Sequence, residues 1–193
     1  MNGSSRSNAR ARRTSRLSYG RVSLPDARYF LTLCAVRPSR ALTEPEVAHA
    51  IADTLLAMQA EGDWLGACST VMPDHLHLLG RLGARLSLGQ IVGKLKALTK
   101  SLLTAHKTGW QANFFEHRLR PDEPWDCYAF YVFLNPYRTS LIDAHQAWPW
   151  WWRSSDVSFD FESMLRPDGT PPDEWVGWDA ERMGLRPESV GSD

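Results

Sequence analysis

Trp64-Leu65-Gly66-Ala67-Cys68-Ser69-Thr70-Val71-Met72-Pro73-Asp74-His75-Leu76-His77-Leu78-Leu79-Gly80-Arg81-Leu82 reads as two strands, residues 64–71 and 76–82, divided by the turn Met72-Pro73-Asp74. Side chains alternate across a strand, so His75 and His77 share one face while Leu76 points into a core. Upstream, Tyr29 to Val36 is a nearly all-apolar strand that Arg37-Pro38 ends. A helix lies between the two, with Val47, Ala50, Ile51, Thr54, Leu55 and Met58 at helical spacing. Thr43 suits its N-cap, Glu46 the capping-box position, and Gly62 breaks it. Downstream, Ser87 opens a second helix whose buried stripe is Leu88, Ile91, Val92, Leu95, Leu98, Thr99 and Leu102. Residues 111–120 alternate as a fourth strand. Pro121-Asp122-Glu123-Pro124 then opens a third helix running to about Leu141, with a kink expected at Pro136.

The order strand, helix, strand, strand, helix, strand, helix predicts an α+β fold. It is the ferredoxin-like split βαβ sandwich, an antiparallel sheet with helices on one face plus an additional helix that carries the candidate chemistry. Trp148-Pro149-Trp150-Trp151-Trp152 is expected to cap that core. With 193 residues, 43% hydrophobic and 23% charged, the chain suits one soluble domain with tails. Three regions follow: a basic flexible arm over 1–26, the folded domain over 27–153, and an acidic, loosely ordered tail over 154–193. The arm and its junction hold Arg6, Arg10, Arg12, Arg13, Arg16, Arg21 and Arg28 against Asp26 alone. No apolar run reaches the ~18 residues of a membrane span and no signal segment is visible, which predicts a cytoplasmic protein without a membrane partner. Cys34, Cys68 and Cys127 are odd in number and widely spaced, which argues against a disulfide framework or a zinc knuckle.

Two imidazoles on one strand face can supply most of a small metal site. On the third helix Tyr131 and Asn135 are four residues apart and lie on one face. If that face meets His75 and His77, the sum is two nitrogens, an amide oxygen and a phenol. Tyr128, seven residues before Asn135, lies on nearly the same face and competes with Tyr131. A hydrolase built on His75, His77 and a carboxylate is disfavoured because Asp74 is expected on the opposite strand face. An RNA-binding sheet of this class would explain neither the His pair nor the Tyr-Asn spacing.

Residues 71–79, Trp110-Gln111 with Phe114 to Arg120, and Tyr131-Val132-Phe133-Leu134-Asn135-Pro136-Tyr137-Arg138 together resemble the REP-associated tyrosine transposases, single-tyrosine relatives of the HUH transposases. The resemblance spans about residues 29–152. It implies metal-dependent nicking and rejoining of single-stranded DNA at repeat hairpins, with Tyr131 as nucleophile. It likewise implies that His75, His77 and Asn135 hold Mg2+ or Mn2+. Expected phosphate contacts are Arg10, Arg12 and Arg13 of the arm, Lys94, Lys96 and Lys100 of the second helix, and Arg118 and Arg120 of the fourth strand. The expected partner is single-stranded or hairpin DNA, with monomer and homodimer both open. The alternative is a hairpin-binding descendant that does not cut.

Overall fold

The computed structural model describes residues 23–36 and 40–191. Eight elements organise them: β1 (Arg28–Cys34), α1 (Pro45–Ala60), β2 (Trp64–Val71), β3 (His75–Leu82), α2 (Leu88–Ala105), β4 (Phe115–Arg118), α3 (Trp125–Arg138) and β5 (Trp151–Arg153). The five strands form one sheet in the order β4-β1-β3-β2-β5, with every pairing antiparallel. The first four strands thus have the split βαβ order that the sequence predicts. Among the described residues no helix is long and apolar enough to cross a membrane.

Strand alternation sorts the sheet into two cores. Leu31, Leu33, Leu76 and Leu78 face α1 and α2, where Ile51, Met58, Ile91 and Leu95 cover them. Phe30, Ala67, Cys68 and Leu79 face α3 and pack against Tyr128, Tyr131, Val132 and Leu134. His77 is opposite Thr32 of β1 and Thr70 of β2, which puts the histidine pair on the α3 side. Gly80 is dictated by a close approach: an added Cβ would come within 2.5 Å of the Trp64 ring. The tryptophan run does more than cap. Residues 151–153 pair with β2 as an edge strand, Trp150 packs on the α1/α2 core, and Trp151 packs on the α3 core.

Helix ends correct several expectations. Thr43 closes a 3-10 turn, Ala41–Thr43, and its hydroxyl donates to the Arg40 carbonyl, so Glu44 occupies the N-cap of α1. Gly62, at φ +71°, follows the end of α1. Ser87 caps α2 in a reciprocal box with Gln90. Leu98 lies outside the buried stripe of α2, which runs instead through Leu95, Thr99 and Leu103. Residues 121–124 form a turn, and α3 begins at Trp125 and ends at Arg138, three residues before Leu141.

The segment read as a loosely ordered acidic tail is packed over its described residues. Its 3-10 turns Asp160–Met164 and Asp173–Trp175 bury Phe161 and Trp175 in the α3 core, beside Phe159, Met183, Leu185 and Val190. Isolated aromatics anchor it despite the Pro/Gly/Asp-rich composition. Of the basic arm, residues 1–22 lie outside the described residues. Residues 23–26 are tied down: Ser23 Oγ accepts from the Leu88 N–H and Asp26 pairs with Arg81.

Asp63 is the one fully buried carboxylate of the α1/α2 edge among the described acidic side chains there, 1% exposed, and it accepts from Lys94 at 2.8 Å and Arg85 at 2.6 Å. Lys94, then Arg85, hold its carboxyl below the usual range against the opposing effect of burial. A carboxyl depressed on folding contributes stability above its unfolded pKa of about 3.9 and loses it as pH falls through the folded value. Asp63→Asn is therefore expected to lower Tm at pH 7 and to flatten the fall of Tm below about pH 4. Parallel acid profiles of the two proteins in thermal melts would refute the assignment.

Candidate metal and tyrosine site

The site is built where the start of β3 meets the last two turns of α3. His75 Nε2 and His77 Nε2 are 3.1 Å apart, and the Asn135 amide nitrogen is 3.0 Å from His77 Nε2. Strand alternation aims the two rings to one side, and the helix lowers Asn135 onto them. Both His77 and Asn135 are wholly buried, while the His75 side chain keeps 13% exposure. A cavity of about 420 Å3 opens beside His75, lined by Arg40, Met72, Pro73, Asp74, Thr139 and Leu141.

Partners on the far side of each ring set which nitrogen is bare. Asp74 Oδ1 is 2.9 Å from His75 Nδ1 and accepts its proton, which turns His75 Nε2 toward His77. Thr32 Oγ1 is 2.9 Å from His77 Nδ1, and the Asn135 amide donates to His77 Nε2, which requires a bare Nε2 there. Burial, reinforced by His75 and Arg138, pushes the His77 pKa well below its ordinary value, so this ring is neutral at pH 7. Its face stacks on Phe30 at 5.3 Å.

These features fit a divalent cation. Nitrogens bound side by side to one ion at ~2.1 Å stand roughly 3.0–3.4 Å apart, which matches the observed separation. Asn135 Oδ1 is buried without a hydrogen-bond partner, and half a turn of the amide exchanges it with the nitrogen that faces His77. An orphaned buried oxygen is costly unless something engages it. Among the described residues no group of three His, Cys, Asp or Glu could hold a metal, and the Asn135 amide is a further potential donor beside the histidine pair. Asp74 holds the His75 ring from behind, through Nδ1. Its expected placement on the opposite strand face is corrected, because it precedes β3 and curls back in the turn.

Tyr131 and Asn135 do share a face. The Tyr131 ring stands 5.6 Å from the His77 ring, edge-on, and the residue is fully buried. Arg138 donates through Nη2 to the phenol oxygen at 3.0 Å and lays its guanidinium 4.8 Å from the ring centroid. Burial pushes the Tyr131 pKa up, while Arg138 and Asn135 pull part of that back. Tyr128 belongs to a different cluster. It stacks on His117 at 5.5 Å and donates to Glu123, and burial drives its pKa up to about 12. His117 in turn contacts both Glu123 oxygens at 3.0 Å. The geometry separates the two tyrosines by partner: Tyr131 sits with the histidine pair, Tyr128 with His117 and Glu123.

The chain has no match among protein-family models, and no curated protein matches it. Its fold does recur among solved structures. A REP-associated tyrosine transposase bound to a REP hairpin superposes with TM-score 0.55 at 18% identity, over 74% of this chain and 94% of that one. The likeness establishes the shared fold. A crystal structure of a transposase candidate from Deinococcus radiodurans aligns with TM-score 0.42 at 20% identity, over 53% of this chain and 85% of that one.

Among the described residues, the expected phosphate contacts are not gathered at this site. Lys94 pairs with Glu61 and Asp63. Lys96 donates to the carbonyls of Gln111 and Ala112 and lies 5.6 Å from the Phe114 ring, so it clamps a loop. Both are on α2, across the sheet from the histidines. Lys100, Arg118 and Arg120 have exposed side chains, and Arg118 is opposite Tyr29 on the α1/α2 side. Arg10, Arg12 and Arg13 lie outside the described residues. Two contributors, Arg138 and Thr32, were missed in the sequence, and Asp74 was weighed there only as a ligand. Arg138 had a signal, since seven residues after Tyr131 is again the same helical face. Thr32 had none beyond its place in a strand.

Proposed function

We propose that this protein nicks and rejoins single-stranded DNA at repeat hairpins, with Tyr131 as the nucleophile. The observation that carries this reading is the convergence of His75 Nε2, His77 Nε2 and the Asn135 amide beside the Tyr131 ring. The fold shared with a transposase bound to a REP hairpin supports it. Two imidazoles orient through Asp74 and Thr32, and Asn135 brings the third donor from the helix that also bears the phenol. A Mg2+ or Mn2+ ion held there supplies Lewis-acid polarisation of the scissile phosphate, and a two-nitrogen donor set favours manganese over magnesium.

In this reading the Tyr131 oxygen forms a bond to phosphorus as the bond to the 3′ oxygen breaks. The phenol gives up its proton and the departing 3′ oxygen gains one, leaving a 5′-phosphotyrosine and a free 3′-hydroxyl. Free tyrosine is a weak nucleophile at neutral pH because its pKa is ~10. Arg138 counters this by placing a fixed positive charge against the phenol oxygen. The 420 Å3 cavity beside His75, with Arg40 on its wall, is the seat for the strand.

One observation favours a second reading, a hairpin-binding protein that does not cut. Tyr131 is fully buried and its oxygen is engaged by Arg138, so a phosphate reaches it only after its cover moves. One experiment separates the two. End-labelled single-stranded hairpin DNA is incubated with the protein and Mn2+, denatured, and run on a gel. A protein–DNA adduct that EDTA prevents is the expected result. Tight hairpin binding without adduct or nick, across a set of hairpins, would select the second reading.

A further inference from the structure

We propose that the outer side of α3 carries a second binding site, an aromatic cup with an acidic rim that takes an organic cation of the alkylammonium class. A cavity of about 240 Å3 lies there, walled by Phe130, Phe161, Trp175 and Trp178, with Asp126 and Asp160 at its edge. The rings are set at angles around it. Trp175 and Trp178 stand at 83° and 87° to Phe130, with centroids 4.7 and 5.8 Å away, and Phe161 is tilted at 5.1 Å. Aromatic faces are the negative side of the ring quadrupole, so a cation that lies over one of these rings is favoured.

Three further observations point to charge rather than to plain apolar packing. First, the rim is anionic: Asp126 spends one oxygen on the Asp160 N–H, and both carboxylates border the cavity. Second, residues 154–193 hold ten Asp and Glu against Arg166, Arg182 and Arg186 and no Lys, so the surrounding field attracts cations. Third, the chain already uses one of these rings in this way, since the Arg182 guanidinium rests 4.5 Å from the Trp178 ring centroid. Size limits the occupant. At 240 Å3 the space is below the ~300 Å3 floor of drug-sized pockets, which restricts it to a head group. The sign of the site is opposite to what DNA requires, so its role is separate from the proposed cleavage chemistry.

The test compares choline with 3,3-dimethyl-1-butanol, which has nearly the same shape and no charge. Both are titrated into the full chain at constant ionic strength and followed by calorimetry and ligand-observed NMR. Choline is expected to bind at least tenfold more tightly than the alcohol. Asp160→Asn, at an exposed side chain, is expected to weaken choline at least threefold and leave the alcohol unchanged. Trp178→Leu is expected to weaken choline more than Asp160→Asn does, with near-UV circular dichroism and melting recorded for both variants. Equal affinity for the two probes, no binding of choline, or choline affinity unaffected by Asp160→Asn in a folded protein would each overturn the proposal. None of these outcomes bears on the adduct experiment, which reads a different site.

Discussion

Tyr131→Phe is expected to eliminate the covalent protein–DNA adduct and to cut nicking on the order of 10^3-fold or more, because removing a nucleophile removes the covalent route entirely. The substitution deletes one oxygen and keeps the ring against His77 and Phe30. Its stability cost includes the lost hydrogen bond from Arg138, about 1 kcal/mol, and a folded variant with intact hairpin binding is expected. Tyr128→Phe is the informative control. Its phenol is committed to Glu123 and its pKa is pushed up to about 12, both unfavourable for attack at neutral pH. That variant should retain the adduct. Survival of the adduct in Tyr131→Phe with loss in Tyr128→Phe would move the chemistry to the His117 cluster. Arg138→Met adds a graded case: the phenol loses its positive neighbour but keeps its place, so the adduct should form more slowly rather than vanish.

Much of this arrangement can be read from local periodicity. Alternation along residues 75–82 puts both histidines on one face, and a four-residue step on α3 puts Tyr131 with Asn135. Features that depend on pairing between distant segments are not legible in that way. Thr32 faces His77 only because β1 and β3 pair in the register Thr32↔His77, across 45 residues of chain. Lys94 looks like a solvated cation on a helix face, and only the fold brings Asp63, 31 residues earlier, to it. The C-terminal segment misleads for another reason. Short 3-10 turns bury single aromatics such as Phe161 and Trp175 without setting up any repeating pattern, so its composition suggests disorder while its aromatic content anchors it.

The proposed metal site predicts an ordered set of losses, which is a stricter test than any single variant. His75→Ala removes one nitrogen donor from a side chain that is near the cavity mouth rather than in the deepest packing, so the fold should survive. Manganese affinity, followed by calorimetry or by the electron paramagnetic resonance of free Mn2+, is expected to fall at least 100-fold, and DNA nicking should fall with it. Asp74→Ala removes no donor. It frees His75 to rotate and to take the other tautomer, a change that ordinarily costs ~10–100-fold in metal affinity. His77→Ala is a poorer probe, because the ring stacks on Phe30 and its deletion opens a cavity in the core. The expected order of manganese affinity is therefore wild type, then Asp74→Ala, then His75→Ala. If Asp74→Ala cost as much as His75→Ala, the carboxylate would be acting as a ligand instead of an orienting group. If neither changed the affinity, the 3.1 Å contact between His75 Nε2 and His77 Nε2 would be a hydrogen bond between the two rings rather than a pair of donors to one ion.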